Sequence, residues 1–199
     1  MAKNILVMLM SVTLGFLPVR LGWAAETALI PITAFHLQEE QTHQSGVWTG
    51  GPQAIDEQIA FLLKTNRIES IEDYSHWLQN NITYEKNADQ NEWQDPAKTL
   101  ARRQGNCKNF ASLSAEVLRV AGFKPLILVC WNQNKGHMIC AFEANGYYCW
   151  LDNATLKKTT ATSLAEFTSE MAQQYALSSL SKLNPQNNQW EILYGTPAS

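Results

Sequence analysis

Apolar residues recur at helical spacing in the first half of the chain and predict two helices. Between Gln53 and Thr65, one face of a helix would carry Ile55, Ile59, Leu62 and Leu63. A second helix is predicted to begin after Ser70, because this N-cap residue is followed three positions later by Asp73. Its apolar face would bury Ile71, Tyr74, Trp77 and Leu78. Both helices are interpreted as scaffold.

Two more helices are predicted on either side of Gly105. Asp95 followed by Pro96 is a helix start, and this short helix is expected to run through Arg103 and to be ended by Gly105. A longer amphipathic helix is predicted to begin at once and to end at Gly122. Its buried positions would be Phe110, Leu113, Val117, Leu118 and Ala121. Cys107 is therefore expected at the N-terminus of a buried helix.

Three apolar runs rich in β-branched and aromatic residues follow and predict an antiparallel sheet. These runs are Lys124 to Trp131, His137 to Phe142 and Tyr147 to Leu151. Asn145-Gly146 joins the last two and is a strong hairpin signal. Ser163 with Glu166 predicts a capping box for a helix to about Leu177, and Trp190 to Tyr194 predicts a last strand. The fold class indicated by this order is α+β.

The first two dozen residues are typical of a secretory signal peptide. Lys3 precedes an apolar run from Ile5 to Leu17, and small residues follow it, so we expect cleavage after Ala24. The run is short for a membrane span, and no span is expected once the leader is removed. Because Arg20 after the run is atypical, an uncleaved anchor is the alternative. The mature chain is thus expected to be exported, periplasmic or secreted.

Composition limits both the size of the fold and its partners. The chain has 199 residues, 45% of them hydrophobic, which suits one packed domain better than two. We expect a single domain over residues 53–199, preceded by an irregular, partly packed arm over residues 25–52. Without residues 1–24 the chain carries 13 basic and 18 acidic residues, a formal charge of −5, so nucleic acid is not an expected partner. Nor is a nucleotide, because the sequence has no glycine-rich phosphate loop.

Cys107 has the expected surroundings of a reactive thiol. A helix N-terminus stabilises a thiolate through unpaired backbone N–H groups and the positive end of the helix dipole. Lys108 adds a positive charge next to it. The alternative is a buried cysteine that packs as a small apolar residue.

Strand alternation places a base and a carboxylate on one face of the predicted hairpin. His137 shares its face with Ile139 and Ala141. With a two-residue turn, Asp152 lies opposite Ile139 and diagonally from His137, whereas a turn two residues longer would set it directly opposite His137. In both registers the two side chains share a face, roughly 5 to 8 Å apart. If the helix of Cys107 packs on that face, the three groups form a nucleophile, a base and an orienting carboxylate. Otherwise Asp152 caps the next turn and His137 ends an edge strand.

The same alternation places Cys140 and Cys149 together on the opposite face of the hairpin. An exported protein with four cysteines can form disulfides, and these two are the best candidates for a pair. The alternative, with equal support, is that both remain buried free thiols. The sequence does not determine whether Cys130 pairs.

These residues resemble the transglutaminase-like superfamily and, within it, the bacterial transglutaminase-like cysteine peptidases. The resemblance runs through Trp93, Pro96-Ala97-Lys98-Thr99-Leu100, Gly105-Asn106-Cys107, the segment from Gly136 to Phe142, and Trp150 to Asn153. It implies a papain-like α+β core, with the nucleophile helix packed on an antiparallel sheet. By residue, it implies Cys107 as nucleophile, His137 as general base and then acid, and Asp152 as the orienting carboxylate. Gln104 and Trp93 are candidate donors to the oxyanion, beside the Cys107 backbone N–H.

The resemblance also implies an activity. Such proteins hydrolyse peptide or amide bonds through a thioester, and a protein or peptide of the cell envelope is the expected substrate. Transfer of the acyl group to an amine, as by a protein-glutamine acyl transferase, is one alternative, and a catalytically silent peptide-binding module with the same fold is the other. No redox or organic cofactor is implied.

One departure from the family pattern concerns calcium. Where the relatives commonly have Gly-Asp-Cys-Glu-Asp, this chain has Gly105-Asn106-Cys107-Lys108-Asn109. The acidic flanks can bind calcium in such relatives, and an amide with an ammonium group lacks the anionic oxygens that this ion needs. We therefore expect no metal site at Cys107.

Overall fold

A computed structural model describes residues 29–32, 52–86, 95–133, 135–184 and 187–196. In these ranges the helices are α1 (Pro52–Thr65), α2 (Ile71–Asn81), α3 (Pro96–Arg102), α4 (Cys107–Val120) and α5 (Leu164–Gln174). The strands are β1 (Thr83–Tyr84), β2 (Gln104–Gly105), β3 (Leu126–Asn132), β4 (Lys135–Ala144), β5 (Tyr147–Asp152), β6 (Thr155–Lys158), β7 (Ser179–Asn184) and β8 (Gln189–Gly195). The predicted α+β class is confirmed.

Three predicted features lie outside the described residues. They are the signal peptide, the oxyanion candidate Trp93, and the predicted arm apart from residues 29–32 and 52. Among the residues that are described, no helix combines the length and the hydropathy needed to cross a bilayer.

The main sheet has six strands in the order β6-β5-β4-β3-β7-β8, and every neighbouring pair is antiparallel. The turn between β4 and β5 is the predicted one, with φ of 54° at Asn145 and 80° at Gly146. Ala144 lies opposite Tyr147, so the predicted hairpin register is confirmed. This register decides which side chains of β4 and β5 share a face.

Each face of the sheet carries its own helices and its own core. On one face, α4 packs with α1 and α2, and the cluster includes Phe110, Leu113, Leu118, Cys140, Phe142 and Leu151. On the other face, α5 packs on Leu128, Ile139 and Trp150 through Phe167 and Met171. The fold therefore has a sheet between two helical layers, with α4 and α5 on opposite sides.

The predicted helices α1, α2 and α4 are confirmed. The N-cap of α2 is formed as the sequence indicates: the Asp73 N–H donates to Ser70 Oγ at 3.1 Å, and the Ser70 N–H donates to Asp73 Oδ2 at 3.0 Å. In α4 all five of the predicted apolar positions are buried. Trp77 departs from the prediction, because it is only half-buried at the edge of the core.

The end of α3 differs from the prediction. Arg103, not Gly105, takes the left-handed conformation that ends the helix, with φ of 53°. Gly105 lies in β2, where a Cβ atom would come within 2.6 Å of Asn109 Cβ. The glycine is therefore needed for the close approach of this strand to the first turn of α4, and not for a left-handed turn.

Some strands were not predicted, and α5 is shorter than expected. β7 was missed because serines alternate with its apolar residues, although Ser179 and Ser181 are buried at 1% and 7% exposure. β1, β2 and β6 are too short to produce a periodic signal. α5 ends at Gln174, three residues before the expected end.

The described part of the predicted arm, residues 29–32, packs against the start of α2. The Ile71 N–H donates to the Ile30 carbonyl and the Ile32 N–H donates to the Glu69 carbonyl, both at 2.9 Å. Glu72 accepts from the Ile30 N–H at 3.0 Å and forms an ion pair of 2.7 Å with Lys158 of β6. The segment therefore holds the start of α2, and Glu72 ties that helix to the edge of the sheet.

The close approach at Gly105 leads to a stability prediction. Gly105→Ala should lower the free energy of unfolding by about 1 to 3 kcal/mol, because the new methyl group must displace Asn109 from the start of α4. Urea unfolding followed by circular dichroism measures the loss. Gly146→Ala is the comparison, since its Cβ would meet nothing within 4 Å and only its φ of 80° is unfavourable. A loss for Gly105→Ala no larger than that for Gly146→Ala would contradict the steric argument.

Candidate active site

The start of α4 is held by two side-chain amides, and this fixes the position of Cys107, its first helical residue. Asn106 is the N-cap, and its Oδ1 accepts from the Lys108 N–H at 3.0 Å. The reciprocal hydrogen bond is also formed, since the Asn109 Oδ1 accepts from the Asn106 N–H at 2.8 Å. Both amides are buried, at 5% and 0% exposure. Their hydrogen bonds form a capping box without any net charge.

The residues before Cys107 are tied to the segment that follows α2. β1 and β2 pair in parallel, with Tyr84 beside Gly105. The Thr83 N–H donates to the Arg103 carbonyl at 2.8 Å, and the Glu85 N–H donates to the Gly105 carbonyl at 2.9 Å. This short ladder brings Tyr84 next to the N-terminus of α4, although the two are distant in sequence.

His137 and Asp152 form a hydrogen bond, with 2.7 Å between His137 Nε2 and Asp152 Oδ1. The pair follows from the hairpin register, in which Cys140 lies opposite Leu151. Because side chains alternate along a strand, those of His137 and Asp152 share the other face of the hairpin. Their side chains are 39% and 34% exposed, so solvent and a substrate can reach them. The residue before His137 is a glycine, where a Cβ would come within 2.9 Å of the Trp131 ring on β3.

Cys107 interacts with the imidazole of His137, although α4 packs on the face of the sheet opposite to the one that carries this ring. The sequence analysis required α4 to pack on the His137 face if the three groups were to meet, and that requirement was wrong. The contact forms because Cys107 lies at the tip of α4, beside the part of β4 that extends past the paired end of β5. There the Met138 N–H also bonds the sulfur. Since Nε2 faces Asp152, Nδ1 is the ring nitrogen left for the thiol.

Burial and hydrogen bonding act in opposite directions on the Cys107 thiol. Burial has the largest single influence and raises the pKa, whereas the hydrogen bond to His137 and the backbone N–H groups of Met138 and Lys108 lower it. The lowering influences together prevail, so the pKa of Cys107 lies below the ordinary value of a thiol. Lys108 acts here through its backbone N–H.

The hydrogen bond to Asp152, followed by the one to Cys107, raises the pKa of His137 to about 9. The same bond to His137 lowers the pKa of Asp152, against the opposing effect of burial. The lowered pKa of the thiol and the raised pKa of the imidazole both favour a thiolate beside an imidazolium, with Asp152 as a carboxylate. This is the protonation state in which a cysteine acts as a nucleophile.

The other three cysteines have a different environment. Cys130, Cys140 and Cys149 are buried and free, so the structure contains buried thiols and not the alternative disulfide between Cys140 and Cys149. Burial raises the pKa of Cys149 to about 11 and that of Cys130 to about 12, and it raises the pKa of Cys140 as well. Thiols of this kind are unreactive.

Of the candidate oxyanion donors, the structure describes Gln104 and the Cys107 backbone N–H. Gln104 lies half-buried in β2, three residues before Cys107, and Trp93 is outside the described residues. The Cys107 N–H belongs to the first turn of α4, where backbone N–H groups have no acceptor within the helix.

Tyr84 is a site residue that the sequence analysis missed. Burial raises the pKa of its phenol, and the negative charges of Cys107 and Asp152 raise it further. Tyr84 and Asp152 line the same groove. Its ring packs on Phe110, with 6.2 Å between ring centroids. No local pattern marks Tyr84, because its position depends on the parallel pairing of β1 with β2.

Among the described residues, those next to Cys107 in sequence offer amide oxygens and no carboxylate. Asn106 and Asn109 supply amide oxygens, and these accept hydrogen bonds from the helix N-terminus. In the described ranges, no three or more His, Cys, Asp or Glu side chains converge as metal ligands. The expectation that no metal binds at Cys107 stays a prediction.

Comparison with known proteins agrees with the fold. A family model described as a transglutaminase-like domain matches residues 54–184. No curated protein matches the sequence. A proposed cysteine protease from Cytophaga hutchinsonii is 18% identical with a TM-score of 0.43, over 52% of this chain and 41% of that chain. Calcium-bound LapG from Legionella pneumophila is 16% identical with a TM-score of 0.41, over 56% of this chain and 71% of that chain. The chain thus covers less than half of the Cytophaga protein.

The thiol pKa values give a labelling prediction. Iodoacetamide should alkylate Cys107 at pH 6, well below the ordinary thiol pKa of about 8.5, and should leave the three buried cysteines unmodified. His137→Ala should slow the reaction at least about tenfold at this pH, because burial then raises the thiol pKa without opposition from the imidazole. Mass spectrometry of the alkylated protein against time and pH measures the rates.

His76→Ala is the matched control for this measurement, because His76 lies exposed on α2. It should leave the Cys107 rate unchanged. Labelling of Cys107 with the pH dependence of a free model thiol would contradict the ion pair.

Proposed function

The chain belongs to the transglutaminase-like domain family, and from this membership we propose that it is an exported thiol enzyme that hydrolyses peptide or amide bonds. The observation that carries the proposal is the convergence of Cys107, at the N-terminus of a helix, with His137 and Asp152, which share a hydrogen bond of 2.7 Å. Export is inferred from the leader-like residues 1–24, and a protein or peptide of the cell envelope is the proposed substrate.

The reaction assigns one role to each of the three groups. The Cys107 thiolate attacks the carbonyl carbon, and the carbonyl oxygen becomes an oxyanion near the N-terminus of α4. His137 then donates its proton to the leaving amine, and the thioester forms as the carbon–nitrogen bond breaks. In the second half of the reaction, neutral His137 takes a proton from water, and the water oxygen attacks the thioester carbon. Cleavage of the carbon–sulfur bond then releases the thiolate. Asp152 holds the ring through Nε2 and stabilises its charged form.

A broad groove beside the site supports a peptide substrate. It has a volume of about 860 Å³ and is bordered by Tyr84, Phe110 and Asp152. Amide side chains contribute much of its wall: Gln79, Asn80, Asn81 and Asn153. Amides donate and accept hydrogen bonds, as an extended peptide backbone requires. Arg103 and Lys157 also line the groove, and their charges favour a peptide with acidic residues.

Tyr84 has a role in the proposed reaction as well. Tyr84 pairs with Gly105, two residues before Cys107, it lines the groove, and its ring packs on Phe110. A phenol can donate a hydrogen bond to the oxygen that becomes negative during attack. We therefore assign Tyr84 to the oxyanion, together with the Cys107 backbone N–H.

Turnover tests the proposal. The wild-type enzyme should release amine from blocked peptides, and Cys107→Ala should lower kcat/KM by roughly 10⁴-fold or more. The pH profile should be bell-shaped. It rises as Cys107 ionises below the ordinary thiol pKa and falls through about pH 9, where His137 loses its proton. Release of amine followed by fluorescamine, at pH 5 to 10, gives these values.

Cys149→Ala is the control, since this buried thiol lies at the hairpin and outside the site. Its turnover should match that of the wild type. Product formed only when a primary amine is added would instead identify acyl transfer, and peptide binding without any product would identify a silent binding module.

Tyr84→Phe tests the oxyanion role. Loss of the hydroxyl should lower kcat by about 10²-fold with little change in KM, because the hydrogen bond strengthens only in the transition state. Steady-state kinetics measure both constants. Tyr147→Phe removes a hydroxyl from an exposed position of the hairpin and should have no effect. An effect of Tyr84→Phe on KM alone would contradict the role.

A further inference from the structure

A second, smaller cavity is lined by His137 and by Asp152, the residue that it shares with the groove. Its volume is about 220 Å³, and it is formed where the end of α5 approaches β3, β4 and β5. The apolar wall is made by Cys130, Ile139, Trp150, Met171 and Leu177. His137 and Asp152 close the end next to the proposed active site. The pocket therefore shares two of its lining residues with the proposed active site.

The walls of this pocket are held by hydrogen bonds and ring contacts. The Asn132 side-chain amide donates to the Tyr175 carbonyl at 3.0 Å, which joins the end of β3 to the end of α5. The Ser178 N–H donates to the Trp131 carbonyl at 2.8 Å and holds the segment that carries Leu177. The Tyr175 ring meets Trp150 edge to face, with 6.4 Å between centroids. The cavity is thus formed before any ligand arrives.

Size and polarity define what the pocket can hold. Pockets for drug-sized ligands and cofactors usually span about 300 to 1,000 Å³, so a volume of 220 Å³ suits a single side chain. The wall offers apolar contact, and the thiol of Cys130 is neutral because burial raises its pKa to about 12. Lys135 at the polar end of the lining repels a cationic side chain.

We propose that this pocket binds one apolar side chain of the substrate, of leucine or methionine size, and so selects the peptides that reach Cys107. The inference rests on the proposed function, because the pocket shares His137 and Asp152 with the proposed active site. Polar main chain would lie in the groove, and the apolar side chain would enter on the α5 side of the imidazole. Specificity would then depend on residues of α5 and the loop after it.

Binding without turnover tests the pocket. The probes are blocked hexapeptides Ac-Ser-Ala-Ala-Xaa-Ala-Ser-NH2 with glycine, leucine, methionine, phenylalanine or lysine as Xaa, titrated into Cys107→Ala by calorimetry. Burial of the side chain should make the leucine and methionine peptides bind at least about tenfold more tightly than the glycine peptide, and lysine should bind most weakly. Equal affinities, or no binding at millimolar concentration, would overturn the proposal.

Three further variants test whether the preference for the leucine peptide over the glycine peptide arises in this pocket. Leu177→Trp in the Cys107→Ala background fills the cavity and should remove the preference for leucine over glycine. Leu164→Trp is the matched control, because Leu164 packs on the same core but does not line the pocket, and it should retain the preference. Leu177→Ala enlarges the cavity and should move the preference towards phenylalanine. A preference unchanged in both Leu177 variants would overturn the assignment.

The failures of the two proposals are distinguishable. If the wild type turns over no peptide while the leucine preference and its loss in Leu177→Trp are observed, the hydrolase function fails and the pocket stands. If peptides are hydrolysed but every guest residue binds equally, the function stands and the pocket assignment fails.

Discussion

The placement of one helix N-terminus at the open end of a β-strand is the constraint on which the rest of this structure depends. Cys107 can meet His137 only because α4 begins beside the part of β4 that β5 does not cover. The buried amides of Asn106 and Asn109 hold that start, and the missing side chain of Gly105 allows β2 to approach it. A shift of the helix by one residue would turn the thiol away from the imidazole, since each residue rotates the helix by about 100°.

The four cysteines show how strongly local contacts determine thiol chemistry. All of them experience burial, which raises the pKa of a thiol. Only at Cys107 do an imidazole and backbone N–H groups reverse that effect. The imidazole in turn depends on Asp152, because this hydrogen bond is the largest influence that raises the pKa of His137. The reactivity proposed for the sulfur is therefore a property of three elements, α4, β4 and β5, acting together.

Two cavities of different character adjoin the proposed active site. The groove on the Tyr84 side is wide and lined by amides and two cations, whereas the pocket on the α5 side is small and apolar. Asp152 borders both. A peptide that used the two cavities would have its main chain on the polar side and one side chain on the apolar side.

The sequence alone determined the local features of this protein, because they depend on neighbours in the chain. Helical periodicity predicted α1, α2 and α4, Asn145-Gly146 predicted the hairpin register, and strand parity placed His137 and Asp152 on one face. Only the tertiary structure decided that α4 packs on the opposite face and that its tip still reaches His137. It also brought Tyr84 to Cys107 through two-residue strands and formed the pocket from segments distant in sequence, contacts that have no local periodic signal.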